Sequence, residues 1–81
     1  MGPLFFGGDN MTLKEIKRLS EDPHLIERCR AARESHGIKQ VEVARLHGCS
    51  EAVVSRFEHG TRVPPVLLLW YIDYFHIKIG D

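Results

Sequence analysis

Apolar residues recur at helical spacing in five short segments, each bounded by residues that start or stop helices. The first segment, 12–20, opens with Thr12 and Glu15 at the spacing of a capping box. The second opens with Asp22 as N-cap and Pro23 at the first helical position. These signals predict two amphipathic helices in the first half of the chain.

The second helix carries one apolar stripe and ends at Gly37, a residue suited to the left-handed backbone that closes many helices. Its stripe is predicted to consist of Leu25, Ile26, Cys29, Ala32 and Arg33. Two shorter helices follow, over 40–47 and 51–59, separated by a turn with Gly48 at its corner and Ser50 as the next N-cap. Their inward residues are predicted to be Val43, Ala44, Val54 and Phe57, with Leu46 or His47 as a further candidate.

A fifth helix is predicted over about 65–75, with Pro65 at its first position. Segment 66–75 is apolar nearly all round, whereas the surface helix of a small monomer shows only one apolar face. One side of this helix must therefore pack on the core, and the other is spare. Together with a short extended tail over 76–79, the pattern predicts an all-α fold, a compact bundle of four to five short helices.

The composition fits one small globular domain. Of the 81 residues, 43% are hydrophobic and 27% are charged, which argues against a wholly disordered chain. We predict a flexible leader over 1–10, where three of the seven glycines lie, and a single domain over 11–81. The net charge is 0, yet residues 28–62 carry a net charge of +3. A basic middle suits nucleic acid, although a solvated surface of mixed charge gives the same balance.

Several classes of protein are disfavoured by the sequence. The longest apolar run, Val66–Ile72, has seven residues, far fewer than the ~20 that cross a bilayer. The histidines and cysteines form no zinc pattern, so we expect no metal, no cofactor and no small-molecule substrate. No nucleophile and base stand together, so an enzyme is not expected. Cys29 and Cys49 are interpreted as ordinary thiols of a cytoplasmic protein, with an intersubunit disulfide or a sensor thiol as the alternative.

The most informative segment is 40–59, where two short helices flank a tight turn. This is the arrangement of a helix-turn-helix unit, in which the two helices cross at a steep angle. Ala44 is small where the helices approach, Gly48 permits the left-handed turn, and Val54 fills the angle between the helices. Each residue alone is compatible with ordinary helix packing, but together they indicate the motif.

Residues 25–79 resemble the lambda-repressor-like helix-turn-helix family of Cro, repressor and Xre-type proteins. The matching residues are Arg33, Gly37, Ile38, Gln40, Val43, Ala44, Gly48, Ser50, Val54, Ser55, Arg56, Phe57, Glu58, Gly60, Arg62 and Pro64. The resemblance implies a five-helix DNA-binding domain that usually works as a dimer, here with an extra N-terminal helix. Two residues depart from the family pattern: Lys39 replaces the usual capping residue, and His47 stands where leucine is common.

The second helix of the motif, the recognition helix, is expected to enter the major groove of DNA. Glu51 can accept a hydrogen bond from a cytosine amino group, and Ala52 can touch a thymine methyl group. Arg56 can fork onto guanine, while Ser55 can reach a base or a phosphate. The alternatives are a phosphate or solvent contact for Arg56 and a helix-dipole role for Glu51.

Phosphate contacts are expected around this helix. Gln40 lies at an N-terminus whose free amides favour an anion, and the resemblance implies that it clamps the DNA backbone. The further phosphate candidates, each of which is otherwise an ordinary surface residue, are Lys39, Ser50, His59 and Arg62. The resemblance also pairs Arg33 with Glu58 as a partly buried structural ion pair.

The spare face of the fifth helix is interpreted as a dimer interface. Its predicted residues are Leu69, Trp70, Tyr71, Tyr74 and Ile77. The alternative is that the helix at 12–20 covers this face within one chain. A homodimer would place its two recognition helices ~34 Å apart on a palindromic operator.

The sequence therefore predicts a repressor-like, sequence-specific transcriptional regulator that binds double-stranded DNA. We expect it in the cytoplasm, on nucleoid DNA, as the product of a phage, a mobile element or a bacterial operon. The alternative is a protein-interaction module, an antitoxin or an antirepressor-type adaptor, that binds a protein partner through 66–75.

Overall fold

Residues 12–79 are described by a computed structural model, and their regular secondary structure consists of α-helices joined by turns and loops. The five helices are α1 (Leu13–Ser20), α2 (Pro23–Ser35), α3 (Gln40–His47), α4 (Glu51–Glu58) and α5 (Pro65–Tyr74). The predicted all-α bundle with an additional N-terminal helix is thus confirmed. The leader predicted over 1–10 lies outside the described residues.

Side-chain caps explain where three of the helices begin. The Thr12 hydroxyl accepts from the amide of Glu15 at 3.2 Å, while Glu15 Oε1 accepts from the amide of Thr12 at 3.1 Å. Asp22 accepts from the amide of His24, and Ser50 accepts from the amide of Val53. Each bond satisfies an amide that the helix itself leaves without a partner.

The turn between α3 and α4 is set by one glycine. Gly48 has a φ of 91°, in the left-handed region that glycine adopts at little cost. The amides of Gly48 and Cys49 both donate to the carbonyl of Ala44, at 2.8 and 2.9 Å. The chain thereby reverses within three residues, and α4 leaves the turn packed against α3.

The core lies between α2, α3, α4 and α5. Its completely or almost completely buried residues are Leu25, Ile26, Cys29, Val43, Ala44, Val54, Phe57, Leu67, Leu68, Tyr71 and Phe75. Helix α1 packs on α2 and α5 but has no buried residue of its own, and Leu19 only borders the core. Of the two further inward candidates on α3, Leu46 is exposed, whereas His47 is half-buried against the ring of Trp70.

The prediction that Tyr71 belongs to a dimer interface is wrong. Its side chain is completely buried, and its hydroxyl donates to Glu58 inside the domain. The outward face of α5 presents instead four apolar or aromatic residues, exposed Val66 and Tyr74 and half-buried Leu69 and Trp70, with the exposed carboxylate of Asp73 among them at helical spacing. Trp70 and Tyr74 stack with their ring centroids 4.6 Å apart. We call these four residues the outer face of α5.

None of the five helices in the described part of the chain is long and apolar enough to cross a membrane.

Candidate nucleic-acid interface

Helix α4 divides into a buried face and a solvent-facing face. Val54 and Phe57 are completely buried on the inner side. The outer side carries Glu51, Ala52 and Arg56, which are exposed to solvent, with half-exposed Ser55 among them. All four residues predicted to contact bases therefore share one face at helical spacing. They project from the protein rather than into it.

One carboxylate fixes α4 to the rest of the bundle. Glu58, which is only 4% exposed, accepts from Arg33 Nε at 2.6 Å and from Arg33 Nη2 at 3.0 Å. Gln40 Nε2 donates to it at 3.0 Å, and the hydroxyl of Tyr71 donates at 2.5 Å. Arg33, Gln40 and Tyr71 lie on α2, α3 and α5, so all four core helices meet at this group, which we call the Glu58 network.

Two members of the Glu58 network, Glu58 and Arg33, are charged at neutral pH. Burial by itself raises the pKa of Glu58, but the hydrogen bonds from Arg33, Tyr71 and Gln40 outweigh it and hold that pKa below its ordinary value. For Arg33, burial by itself lowers the pKa, because it disfavours the charged form. The hydrogen bonds to Glu58 and its charge outweigh burial, so the pKa of Arg33 lies above its ordinary value. Arg33 Nη1 also donates to the carbonyl of Ile38 at 2.6 Å. Among the described residues, no buried side-chain nitrogen or oxygen lacks a partner.

The residues predicted to contact phosphate differ in their exposure and in the hydrogen bonds that they already make. Lys39 and Arg62 are exposed, and Lys39 precedes α3 as its N-cap residue. The hydroxyl of Ser50 is engaged as a helix cap, and the ring Nδ1 of His59 lies 2.8 Å from the carbonyl of Ser55. Gln40 is half-buried, and its side-chain nitrogen donates to Glu58. The group of Gln40 that can still meet an anion is its backbone amide at the start of α3.

Sequence reasoning missed the roles of Gln40 and Tyr71 in the Glu58 network. For Tyr71 a signal existed, because a buried tyrosine hydroxyl needs a hydrogen-bond partner and the segment around it is otherwise apolar. For Gln40 there was none, since its partner stands 18 positions away on another helix.

Both cysteines are free thiols, and neither lies at the solvent-facing side of α4. Cys29 is completely buried, and burial raises the pKa of its thiol to about 12. Cys49 is half-buried in the turn, and burial raises its pKa as well. Within residues 12–79, no three histidine, cysteine or carboxylate side chains come together as metal ligands.

Comparison with known proteins identifies the family. The family model described as Helix-turn-helix (HTH_3) matches residues 30–70, a segment that contains α3, the turn and α4. No curated protein and no solved structure matches the chain significantly. The matched segment is half of the chain, and this family binds DNA and is not typically enzymatic. The chain therefore belongs to the helix-turn-helix family of the Cro and C1 type, and it is a DNA-binding regulator in kind.

Proposed function

We propose that this protein is a repressor-like regulator that recognises a specific DNA sequence by inserting α4 into the major groove. The observation that carries the proposal is the outer side of α4, where Glu51, Ala52 and Arg56 are exposed while the buried Glu58 network holds the same helix in place. A helix that is rigid on its inner side and free on its outer side suits base recognition, because readout needs fixed side-chain positions.

Base readout is assigned to four residues of α4. Arg56 forks onto guanine O6 and N7, a pairing worth ~1–3 kcal/mol of discrimination. Glu51 accepts from a cytosine amino group, and Ala52 contacts a thymine methyl group. Ser55, half-exposed between them, donates to a neighbouring base or phosphate. Glu51 also repels phosphates, which lowers binding to duplexes that lack its cytosine.

Phosphate contacts surround the readout face. Lys39 before α3 and Arg62 after α4 supply exposed positive charge. The start of α3 at Gln40 offers free backbone amides to a second phosphate. Ser50 and His59 stand at the two ends of α4, within reach of the flanking strand. These contacts place the protein on the duplex without reading sequence.

A homodimer completes the proposal. The outer face of α5, with Ile77 beside it, is a largely apolar surface around exposed Asp73, and it is suited to a second copy of the chain. Two-fold symmetry then sets two recognition helices ~34 Å apart, which matches a palindromic operator on one side of the duplex. Bound there, the dimer represses transcription by blocking polymerase. Such a regulator would act on nucleoid DNA in the cytoplasm of a bacterium, encoded by a phage, a mobile element or a host operon.

Selection of bound sites from random duplexes tests the proposal. The wild-type protein is expected to enrich one palindromic sequence, and its affinity should fall steeply with salt as phosphate contacts release counterions. Arg56→Ala should relax the preference at one guanine and keep the rest of the site. Arg18→Ala is the matched control, because it removes an equal charge from an exposed side chain on α1, and it should select the same sequence. Absence of any enriched sequence would exclude the proposed function.

A second candidate is a protein-interaction module of the antitoxin or antirepressor-adaptor type. The net charge of 0 favours it, because an adaptor does not need to attract the phosphates of DNA. In this candidate the outer face of α5, with Val66 68% exposed, binds a protein partner and not a second copy of the chain. An adaptor would show no specific DNA site and no steep dependence on salt. The selection experiment, run at two salt concentrations, therefore separates the two candidates.

A further inference from the structure

Arg56 and Arg62 line one small cleft beside the readout face of α4. The cleft has a volume of about 160 Å³, and its other two walls are Val53 and Pro64. It lies where the last turn of α4 meets the loop that leads to α5. Of its four lining residues, only the two arginines carry charge, while Val53 and Pro64 are apolar.

The backbone brings the two arginines together. Gly60 closes α4 with a φ of 74°, and the amides of Thr61 and Arg62 both donate to the carbonyl of Arg56, at 3.0 and 3.4 Å. The loop is thus folded back over the helix end, with the backbone of Arg62 bonded to that of Arg56. Pro64 has a φ of −64° and limits the freedom of the loop beyond it. The shared cleft is therefore a fixed feature of the fold.

Neither guanidinium is neutralised by the described part of the protein. Arg33 is paired with Glu58, Arg30 lies 3.8 Å from Glu27, and Arg28 donates to the carbonyl of Lys78. Within residues 12–79, no carboxylate lies within 4 Å of Arg56 or Arg62. Two like charges that share a cleft repel each other, and an anion between them relieves the repulsion. A phosphodiester group fits best, because guanidinium binds it through paired hydrogen bonds.

We infer that Arg62 is a positioning residue for Arg56: it holds the DNA phosphate that enters the cleft and thereby keeps the guanidinium of Arg56 on the base edge. This inference rests on the proposed function. A phosphate carries a full charge, whereas guanine offers neutral acceptors, so Arg56 on its own would turn to the phosphate. With Arg62 on the phosphate, the charge of the phosphate is already paired, so the guanidinium of Arg56 is free to fork onto guanine in the groove. Arg62 then determines specificity, and not affinity alone.

The decisive measurement compares affinities for two duplexes. One is the selected site, and the other differs at the base pair where Arg56→Ala loses its preference. Arg62→Ala should weaken binding to both duplexes and lower the salt slope by about one. It should also reduce the ratio of the two affinities by about tenfold. Arg62→Lys keeps the charge on the phosphate and should keep most of this ratio.

Controls make the result interpretable. Arg18→Ala should leave the ratio unchanged, and the melting temperature of Arg62→Ala should equal that of the wild type because the Arg62 side chain is exposed. If Arg62→Ala weakens both duplexes equally, so that the ratio stays the same, the inference is overturned while the proposed function stands. An equal drop of the affinity ratio in Arg62→Ala and in Arg62→Lys also contradicts the inference. If the wild-type protein selects no sequence, the inference and the proposed function are both excluded.

Discussion

The hydroxyl of Tyr71 donates a hydrogen bond to Glu58 Oε2 at 2.5 Å and so links the most buried part of α5 to the end of α4. The same oxygen accepts from Arg33 Nε at 2.6 Å. The orientation of the readout helix is therefore determined by charge and hydrogen bonds as well as by the packing of Val54 and Phe57. Changes to these buried groups should alter the stability of the domain without touching its outer surface.

Replacement of Arg33 by alanine should destabilise the domain strongly. It leaves the buried carboxylate of Glu58 without its charged partner, and breaking such a pair costs ~3–5 kcal/mol. That is a large share of the ~5–15 kcal/mol by which small domains are stable. Arg30→Ala is the matched control, because its pair with Glu27 is exposed at 3.8 Å and worth ~0–1 kcal/mol. Denaturant unfolding measures both, and equal stabilities for the two variants would contradict the prediction.

Acid should remove stability through Glu58. The pKa of this carboxyl in the folded domain lies below the ordinary value of 4.5, so the folded state binds its proton less readily than the unfolded chain. The contribution of Glu58 to the free energy of unfolding is fully present above pH 4.5. It is lost as the pH falls through the lower pKa that Glu58 has in the folded domain. The free energy of unfolding, measured from pH 7 downward, should therefore decline below this point.

Tyr71→Phe should flatten that acid decline. Loss of a hydrogen bond to a charged group costs ~1.5–3 kcal/mol at neutral pH, and the loss shrinks once Glu58 is protonated. Tyr74→Phe is the control, since Tyr74 is 45% exposed and lies on the outer face of α5. It should match the wild type at every pH. A Tyr71→Phe variant with the pH profile of the wild type would show that the bond does not hold the pKa of Glu58 down.

Most of the fold was predictable because its helix ends carry their own signals. Thr12, Asp22 and Ser50 cap helices with their side chains, and Gly48 and Gly60 end helices with positive φ. These are local interactions between residues close in sequence, which a pattern of residue types reveals. The side of α4 that faces solvent was predictable for the same reason, since Val54 and Phe57 define its buried face.

The faces of α5 were not predictable in the same way. Its residues are apolar nearly all round, so helical periodicity does not show which side of α5 faces the core. Tyr71 was therefore assigned to the wrong side. A buried tyrosine needs a hydrogen-bond partner, but the partner of Tyr71 is Glu58, 13 positions away, and its ring packs on Phe57, so only the tertiary structure shows which side of α5 is buried. The shared cleft of Arg56 and Arg62 was missed because it depends on the loop that folds back after Gly60.

His76→Gly should stabilise the domain. His76 follows the end of α5 with a φ of 54°, and it is the one non-glycine residue of the described chain in the left-handed region. The amide of Ile77 donates to the carbonyl of Ile72 at 3.0 Å, which closes the helix end in the geometry that favours glycine. The substitution removes the backbone strain of His76 but makes the unfolded chain more flexible. The difference should raise the free energy of unfolding by about 0.5–1 kcal/mol. Thermal unfolding checks it, with His76→Ala as a control that should show no gain.

The proposed dimer predicts how one added charge changes the association state. Sedimentation equilibrium should give twice the 9.3 kDa chain mass for the wild type at high concentration. Tyr74→Glu places a charge on the outer face of α5 and should give the monomer, because burying an unpaired carboxylate at an interface is unfavourable. Leu13→Glu adds the same charge to α1, where Leu13 is 84% exposed, and should remain dimeric. With α1 in place on α5, Val66 and Tyr74 stay exposed, so α1 does not cover this face within one chain. A wild type that stays monomeric at every concentration, with and without its selected DNA, would exclude the dimer.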